Sequence, residues 1–264
     1  MSIPKKVDQR IREAASRFRP ILEAARARDV NEADTVTIVK GMLADVFGWD
    51  QFLEVTSEYA IRGTYVDLAV RTEDRIRFLI EVKAIGCDLR ENHLRQAIGY
   101  ASNEGIEWVI LTNAAVWQAH RVVFGKPVGH ELVFQLDFLG GNPRDAGFRQ
   151  MAFLLTKEGM TRSAIARFHE ERQALSRFNV AAIIRDDDVL AVVRRELRRA
   201  YPKLNPSIEQ IRQIVVNDVL KREVVEGEKA EQAAKALRRS NRPLRKRRAK
   251  PAEQPAAAGD GGDA

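Results

Sequence analysis

Two runs of alternating apolar and polar residues, at 65–70 and 76–83, lie on either side of the polar segment at 71–75. Successive side chains of a β-strand point to opposite faces, so this pattern predicts a β-hairpin. One face of the hairpin is expected to carry Val66, Leu68, Val70, Phe78, Ile80 and Val82. The other face is expected to carry Tyr65, Asp67, Ala69, Leu79, Glu81 and Lys83. The second face therefore holds three charged groups.

These charged groups, Asp67, Glu81 and Lys83, need a physical explanation. Unpaired charges destabilise a protein when they are buried, so a strand covered on both faces should avoid them. Two carboxylates that face each other across paired strands, with an ammonium two residues further on, can hold a hard divalent cation through oxygen ligands. The pattern thus indicates a candidate metal site. The competing interpretation is an exposed sheet face with an ordinary surface ion pair.

The order of Asp67, then Glu81-Val82-Lys83 about one hairpin later, resembles the PD-(D/E)xK nuclease superfamily. More narrowly, it is similar to the nuclease domain at the N-terminus of type I restriction-enzyme R subunits and to stand-alone relatives. Three further segments carry this likeness: Asn31-Glu32-Ala33-Asp34-Thr35, Phe47-Gly48-Trp49-Asp50 and Gln96-Ala97-Ile98-Gly99-Tyr100. The likeness extends from near Asn31 to near Val123. Val66 stands where the motif name has proline, a position that is not a metal ligand.

The resemblance implies an α/β, restriction-endonuclease-like fold in which a mixed β-sheet is flanked by helices. It implies a metal-dependent endodeoxyribonuclease that hydrolyses DNA phosphodiester bonds in restriction, defence or DNA processing. Asp67, Glu81 and the backbone carbonyl of Val82 would bind Mg²⁺, with Mn²⁺ as the alternative ion. Lys83 would stand beside the attacking water or the developing negative charge.

Two more residues acquire roles only through the resemblance. Glu32 would be an extra carboxylate directed at the metal, and Gln96 would contact a phosphate or the water. Taken from the residues alone, Glu32 is equally well explained as an acid in the first turn of a helix, where the helix dipole favours it. The alternative for Gln96 is a surface position with no special contact. Tyr100 follows on the same helical stripe, either beside the site or packed at the edge of the core.

The remaining patterns predict the elements around the hairpin. Helical spacing predicts a helix at 7–27 that is broken at Pro20, a second helix that begins at the N-cap Asn31, and a third at 89–103. Strands are predicted at 52–59, 107–112, 115–124 and 131–138. The run at 107–112 is continuously apolar, which is typical of a central buried strand. This order favours a mixed sheet flanked by helices.

A composition change at Gly140-Gly141-Asn142-Pro143 predicts a domain boundary. We expect a nuclease domain at 1–139, a helical C-terminal region at 140–228 and a disordered basic tail at 229–264. Between Arg238 and Lys250 there are eight bases and no acid, so most of the formal charge of +7 lies in the tail. Such a tail can add salt-dependent affinity for nucleic acid, or it can be solvated without a partner.

Other features bear on location and partners. No apolar run approaches the roughly 18 residues that span a bilayer, which predicts a cytoplasmic protein with no membrane contact. The single Cys87 excludes an intramolecular disulfide. DNA is the predicted partner. The sequence lacks a phosphate-binding loop of the Gly-x-x-x-x-Gly-Lys-Ser/Thr type, so a motor or specificity subunit would be a separate chain, and a homodimer would suit double-strand cutting.

Two functions of other classes stay open at this point. The chain could be a nucleic-acid-binding protein that keeps the nuclease fold without cleaving. It could also be an interaction module whose C-terminal helices form the working surface. The intact charges at positions 67, 81 and 83 favour a nuclease over the non-cleaving protein, whereas tight binding of a protein partner without DNA binding would favour the interaction module.

Overall fold

The computed structural model describes residues 2–61, 64–73 and 75–248, and these divide into two compact units at residues 169 and 170. In the described part of the first unit, a mixed β-sheet is flanked by helices, as the sequence predicts. The second unit is helical where it is described. The predicted boundary at 139/140 lies inside the first unit. Helix α4, at Ala146–Leu155, buries Phe148 and Phe153 in the same core as the sheet.

The sheet of the described residues has six strands in chain order: β1 (Val55–Ile61), β2 (Thr64–Thr72), β3 (Arg75–Val82), β4 (Trp108–Thr112), β5 (Val116–Val123) and β6 (Gly129–Asp137). Neighbouring strands are antiparallel except β3 and β4, which are parallel. Parallel neighbours need a crossover connection, and here the chain passes through a helix between them. The ends of β3 and β4 therefore lie side by side at one edge of the sheet. Strand β4 is buried throughout, which confirms its predicted central place.

The other helices wholly within the first unit are α1 (Lys5–Ala27), α2 (Glu32–Asp45), α3 (Arg95–Asn103) and α5 (Lys157–Thr161), with a 3₁₀ turn at Glu91–Leu94 before α3. The predicted break at Pro20 is wrong, because α1 continues through it. Its buried side chains continue on both sides, with Ile11 and Phe18 before the proline and Leu22 after it. Burial of this stripe outweighs the local effect of the missing N–H. The predicted N-cap at Asn31 is confirmed.

The two faces of the sheet are covered by different helices. On one face, Leu68, Val70, Phe78, Ile80 and Val82 are buried with residues of α1, α2 and α4. On the other face, Ala69 and Leu79 are buried with Ala97 and Ala101 of α3. The predicted face for Val66 is wrong, since it is buried with Ala69 and Leu79. The neighbouring Asp67 lacks a ladder partner on both adjacent strands, so regular alternation stops there.

Helix α6 (Ala164–Ala174) runs across the division between the units, and the second unit continues with α7 (Arg177–Ile184), α8 (Asp187–Ala200), α9 (Ile208–Ile214), α10 (Arg222–Val225) and α11 (Glu228–Arg248). A π turn at Val215–Val219 follows α9. Helix α11 differs from the predicted disordered tail: it packs against α7, and Ala230 and Ala233 are buried. Residues 249–264 of that tail lie outside the described residues. No described helix combines the length and the apolar character that a membrane crossing requires.

Candidate active site

Strands β2 and β3 separate where the two predicted carboxylates lie. Their ladder reaches Leu68 and Ile80 and does not include the next pair, Asp67 and Glu81. The Val82 N–H donates to Asp67 Oδ2 at 2.6 Å. A buried N–H requires an acceptor, and here a side chain supplies it in place of the neighbouring strand. The two carboxylates therefore lie at an opening between the strands rather than in a regular cross-strand pair.

Asp67 is unusual on its other side as well. The register of β1 and β2 has no pair between Glu58 and Asp67, and Glu58 has a φ of +47°. Burial raises the pKa of Asp67 above its ordinary value, although the hydrogen bond from Val82 and the charge of Lys83 oppose this. The charges of Glu32 and Glu58 raise its pKa further. The ionised form of Asp67 is therefore less stable here than in water, and a nearby positive group would stabilise it.

Glu81, Lys83 and Glu32 form a connected set of charges. Lys83 Nζ lies 2.9 Å from Glu81 Oε1 and 3.2 Å from Glu32 Oε2. The side chains of Glu81 and Lys83 are only 15% and 19% exposed, whereas that of Glu32 is 48% exposed. The ammonium is therefore held between one sheltered and one exposed carboxylate. The backbone N–H of Lys83 donates to Thr112 O at 2.8 Å, which fixes the end of β3 beside the end of β4.

Burial acts in opposite directions on the pKa values of Glu81 and Lys83, although both pKa values are raised. Burial raises the pKa of Glu81, and the charges of Asp67 and Glu32 add to this, while the hydrogen bond from Lys83 opposes it. For Lys83, burial lowers the pKa, but the hydrogen bond and charge of Glu81 and the charge of Glu32 outweigh burial and leave the pKa raised. Lys83 is therefore an ammonium at neutral pH. Perturbed groups of this kind cluster at functional sites.

The position of Glu32 depends on two residues at the start of α2. The side chain of Asn31 accepts from Asp34 N at 2.9 Å and so caps the helix. The fully buried Thr35 donates through Oγ1 to Asn31 O at 2.8 Å and accepts from Ile85 N at 3.1 Å. Because Ile85 follows Lys83 by two residues, Thr35 connects the helix that carries Glu32 to the segment that follows β3 and begins with Lys83. The sequence reasoning missed this role of Thr35.

The role of Asn113, which directly follows the predicted strand at 107–112, was also missed. Its Nδ2 donates to Ile85 O at 3.3 Å and to Cys87 O at 3.0 Å, while its Oδ1 accepts from Val116 N at 2.8 Å. One amide therefore fixes the segment after Lys83 against the turn between β4 and β5. An asparagine after an apolar strand is the available sequence signal, but it is equally typical of any turn.

Gln96 lies on α3, beside the strand that carries Asp67. Its Nε2 donates to Tyr100 Oη at 2.9 Å and to Tyr65 O at 3.3 Å, and Tyr65 precedes Asp67 by two residues. His93 precedes Gln96 by three residues, where helical spacing predicts the same stripe, but it accepts from Arg90 N through Nδ1 at 3.4 Å and caps the 3₁₀ turn. The structure thus brings Glu32, Asp67, Glu81 and Lys83 together, while Gln96 contacts a neighbouring residue of β2. The sequence predicts a turn at Gly63 and, at Arg62, either a phosphate contact or a residue beside that turn; both positions lie outside the described residues.

The carboxylates of the cluster determine which metal ion the site could hold. Within the described ranges, no group of three or more His, Cys, Asp or Glu side chains is arranged to hold a metal ion. Asp67 and Glu81 remain as the sheltered pair, because the side chain of Glu32 is 48% exposed; Lys83 pairs with Glu81 as well as with Glu32. Mg²⁺ is commonly held by one or two carboxylates and retains several waters, so two carboxylates suit it better than they suit Zn²⁺ or Ca²⁺. The four side chains also carry a formal charge of −2 when all are ionised, which complements a divalent cation.

No family model, curated protein or solved structure matches this chain. The resemblance to PD-(D/E)xK nucleases therefore rests on the residues of this sequence and stays a prediction.

Proposed function

We propose that the first unit is a metal-dependent endonuclease that hydrolyses phosphodiester bonds in DNA, in restriction, defence or DNA processing. The observation that carries the proposal is the sheltered cluster of Asp67, Glu81 and Lys83 at the opening between β2 and β3. Burial raises the pKa of both carboxylates, so their ionised forms oppose folding. A bound cation would offset this unfavourable charge, which gives the cluster a chemical purpose that a structural ion pair lacks.

Asp67, Glu81 and the backbone carbonyl of Val82 would hold Mg²⁺, with Mn²⁺ as the alternative. Such an ion, when bound, supplies charge stabilisation at the scissile phosphate and lowers the pKa of a water nucleophile. The hydrogen bond from the Val82 N–H holds Asp67 Oδ2, which orients this carboxylate before any ligand arrives. Glu81 is oriented by the ammonium of Lys83 at 2.9 Å.

Lys83 acts as a hydrogen-bond donor and a positive charge in this proposal. The carboxylates of Glu81 and Glu32 raise its pKa, which favours the ammonium form. An ammonium fixed next to the carboxylates can donate to a phosphate oxygen as negative charge develops there. Glu32 keeps the ammonium in place from the helix side. Gln96 remains a candidate phosphate contact, with its amide oriented by the Tyr100 hydroxyl.

The restriction-endonuclease-like fold belongs to the same proposal. Its support is the parallel β3–β4 pair, joined through a helix and covered by helices on both faces. DNA is the proposed partner. Arg195 and Arg199 on α8 are exposed, but each pairs with Glu196, so a phosphate would compete with that carboxylate for them. A motor or specificity subunit would be a separate chain, a homodimer would make two cuts, and the activity would be cytoplasmic.

Cleavage of supercoiled plasmid tests the proposal. The purified protein is incubated with Mg²⁺, with Mn²⁺ or with EDTA, and the Glu81→Ala variant is assayed beside it. We expect metal-dependent nicking or linear product from the wild type and none from Glu81→Ala. Glu107→Ala is the matched control, because Glu107 is an exposed glutamate that directly precedes β4. Cleavage by Glu81→Ala at the wild-type rate would overturn the proposal.

A further inference from the structure

A cavity of about 550 Å³ lies at the edge of the sheet where β3 and β4 end and β5 begins. One wall is the segment from Ile85 to Leu89, which begins two residues after Lys83. The lining also includes Gln118 of β5 and Gln135 of β6. Its volume is in the range of sites that hold a small organic molecule. Asn113 also lines the cavity and fixes the first wall through its hydrogen bonds to Ile85 O and Cys87 O.

The two glutamines offer complementary hydrogen-bonding groups. They are directly opposite in the β5–β6 register, and Gln118 Nε2 donates to Gln135 Oε1 at 3.0 Å. This bond orients both amides and leaves Gln118 Oε1 as an acceptor and Gln135 Nε2 as a donor. Gln118 Oε1 is 3.5 Å from His120 Nε2, a distance too long for a strong hydrogen bond. An adjacent donor and acceptor match the edge of a nucleobase, as when an amide side chain reads adenine.

The charged residues that line the cavity limit the chemical class of ligand that it can bind. Among the described residues, Asp88, Asp137 and one cation, Arg26, line the cavity. Asp137 Oδ1 accepts from Leu139 N at 2.9 Å and from Gly140 N at 2.8 Å, which fixes this carboxylate. Two carboxylates against one guanidinium disfavour an anion such as phosphate inside the cavity. They favour a neutral ring that carries an amino group, since a carboxylate accepts from such a group.

We propose that this cavity receives one nucleobase with an exocyclic amino group from the DNA strand that is cut. This inference rests on the proposed function, because the nuclease cluster is what brings a DNA strand to this edge. From Lys83 to Ile85 the chain spans at most about 7 Å, so the cavity wall begins within reach of a nucleotide beside the scissile phosphate. A base enters a cavity only after it leaves the stack, so single-stranded or distorted DNA is the preferred substrate.

Cys87 provides a direct test, because it is the single cysteine of the sequence and it lines the cavity. Its alkylation by iodoacetamide is timed in EDTA, which prevents cleavage, with a single-stranded dA oligomer or a dT oligomer of equal length. Binding of each oligomer is measured separately by fluorescence anisotropy. At ten times its dissociation constant, the dA oligomer is expected to slow alkylation about tenfold by mass action. The dT oligomer, whose base lacks an amino group, is expected to leave the rate unchanged.

Two variants test whether the slower alkylation of Cys87 results from binding in the cavity. Gln135→Leu removes the donor on an exposed position of β6, and protection by the dA oligomer should be lost. Gln51→Leu makes the same substitution at an exposed turn outside the cavity, and protection should be kept.

The outcomes separate this inference from the nuclease proposal. Unchanged alkylation with a bound dA oligomer would overturn the base site, whatever the plasmid assay gives. Equal protection by deoxyadenosine alone would assign the site to a free nucleoside and also overturn it. Protection that is lost in Gln135→Leu, without plasmid cleavage by the wild type, would keep the base site and remove the hydrolytic function.

Discussion

The substitution Thr35→Val isolates one buried hydrogen bond that connects α2 to the end of β3. Valine keeps the branched shape and nearly the volume of threonine but has no hydroxyl. Asn31 O retains the backbone N–H of Thr35 as a donor at 3.0 Å, whereas Ile85 N–H loses its acceptor at 3.1 Å. Leaving one buried N–H without a partner costs about 1–3 kcal/mol. We therefore expect the free energy of unfolding of the first unit to fall by that amount.

Urea denaturation followed by tryptophan fluorescence measures this change, because all three tryptophans of the chain lie in the first unit. Thr37→Val is the matched control: Thr37 lies on the same helix but is exposed, and its hydroxyl donates to Ala33 O at 3.3 Å. The control is expected to change stability by less than about 0.5 kcal/mol. Equal losses in both variants, or no loss in Thr35→Val, would refute the reasoning. Plasmid cleavage should also fall in Thr35→Val alone, because Glu32 loses its fixed position.

Two further predictions concern charge. Burial raises the pKa of Glu81, so its contribution to stability falls as pH rises above the ordinary glutamate pKa of 4.5. In Glu81→Gln, this part of the pH dependence of urea unfolding, measured in EDTA, should be absent. Burial, with the neighbouring His130, lowers the pKa of His120 from 6.5 to about 4, so its contribution is present above pH 6.5 and lost as pH falls through 4. That loss is about 3 kcal/mol at pH 4, and it should be absent from the pH dependence of unfolding of His120→Phe. Val122 is a buried residue of the same strand and does not titrate. The substitution Val122→Ala should therefore lower the free energy of unfolding by the same amount above pH 6.5 and at pH 4.

Patterns in the sequence predicted those parts of the fold that are determined by residues close to one another along the chain. The alternation around Leu68 and Ile80 predicted the hairpin, and the apolar run of β4 predicted a buried strand. The cap at Asn31 was predictable because capping involves residues three apart. The continuation of α1 through Pro20 was not, because burial against the rest of the core decides it. The face of Val66 was missed because alternation holds only in a regular strand.

The same distinction applies to the candidate site. Asp67, Glu81 and Lys83 were predicted to share a face because strand geometry fixes side-chain direction over a few residues. Their contacts with Glu32 and with each other required the fold. The roles of Thr35 and Asn113 could not be predicted from the sequence, because each residue forms a hydrogen bond with the segment after Lys83 from a distant part of the chain. A threonine in a helix and an asparagine after a strand have many ordinary explanations.

In the proposed mechanism, Lys83 acts in phosphodiester hydrolysis, whereas Asp67 and Glu81 bind the cation. The most direct measurement compares Mn²⁺ binding, by electron paramagnetic resonance, with plasmid cleavage in the Lys83→Ala variant. We expect Lys83→Ala to bind Mn²⁺ about as well as the wild type and to lose cleavage, whereas Glu81→Ala should lose both. Lys126→Ala, at an exposed position in the loop between β5 and β6, is the control and should keep both. Cleavage by Lys83→Ala at the wild-type rate would contradict the account.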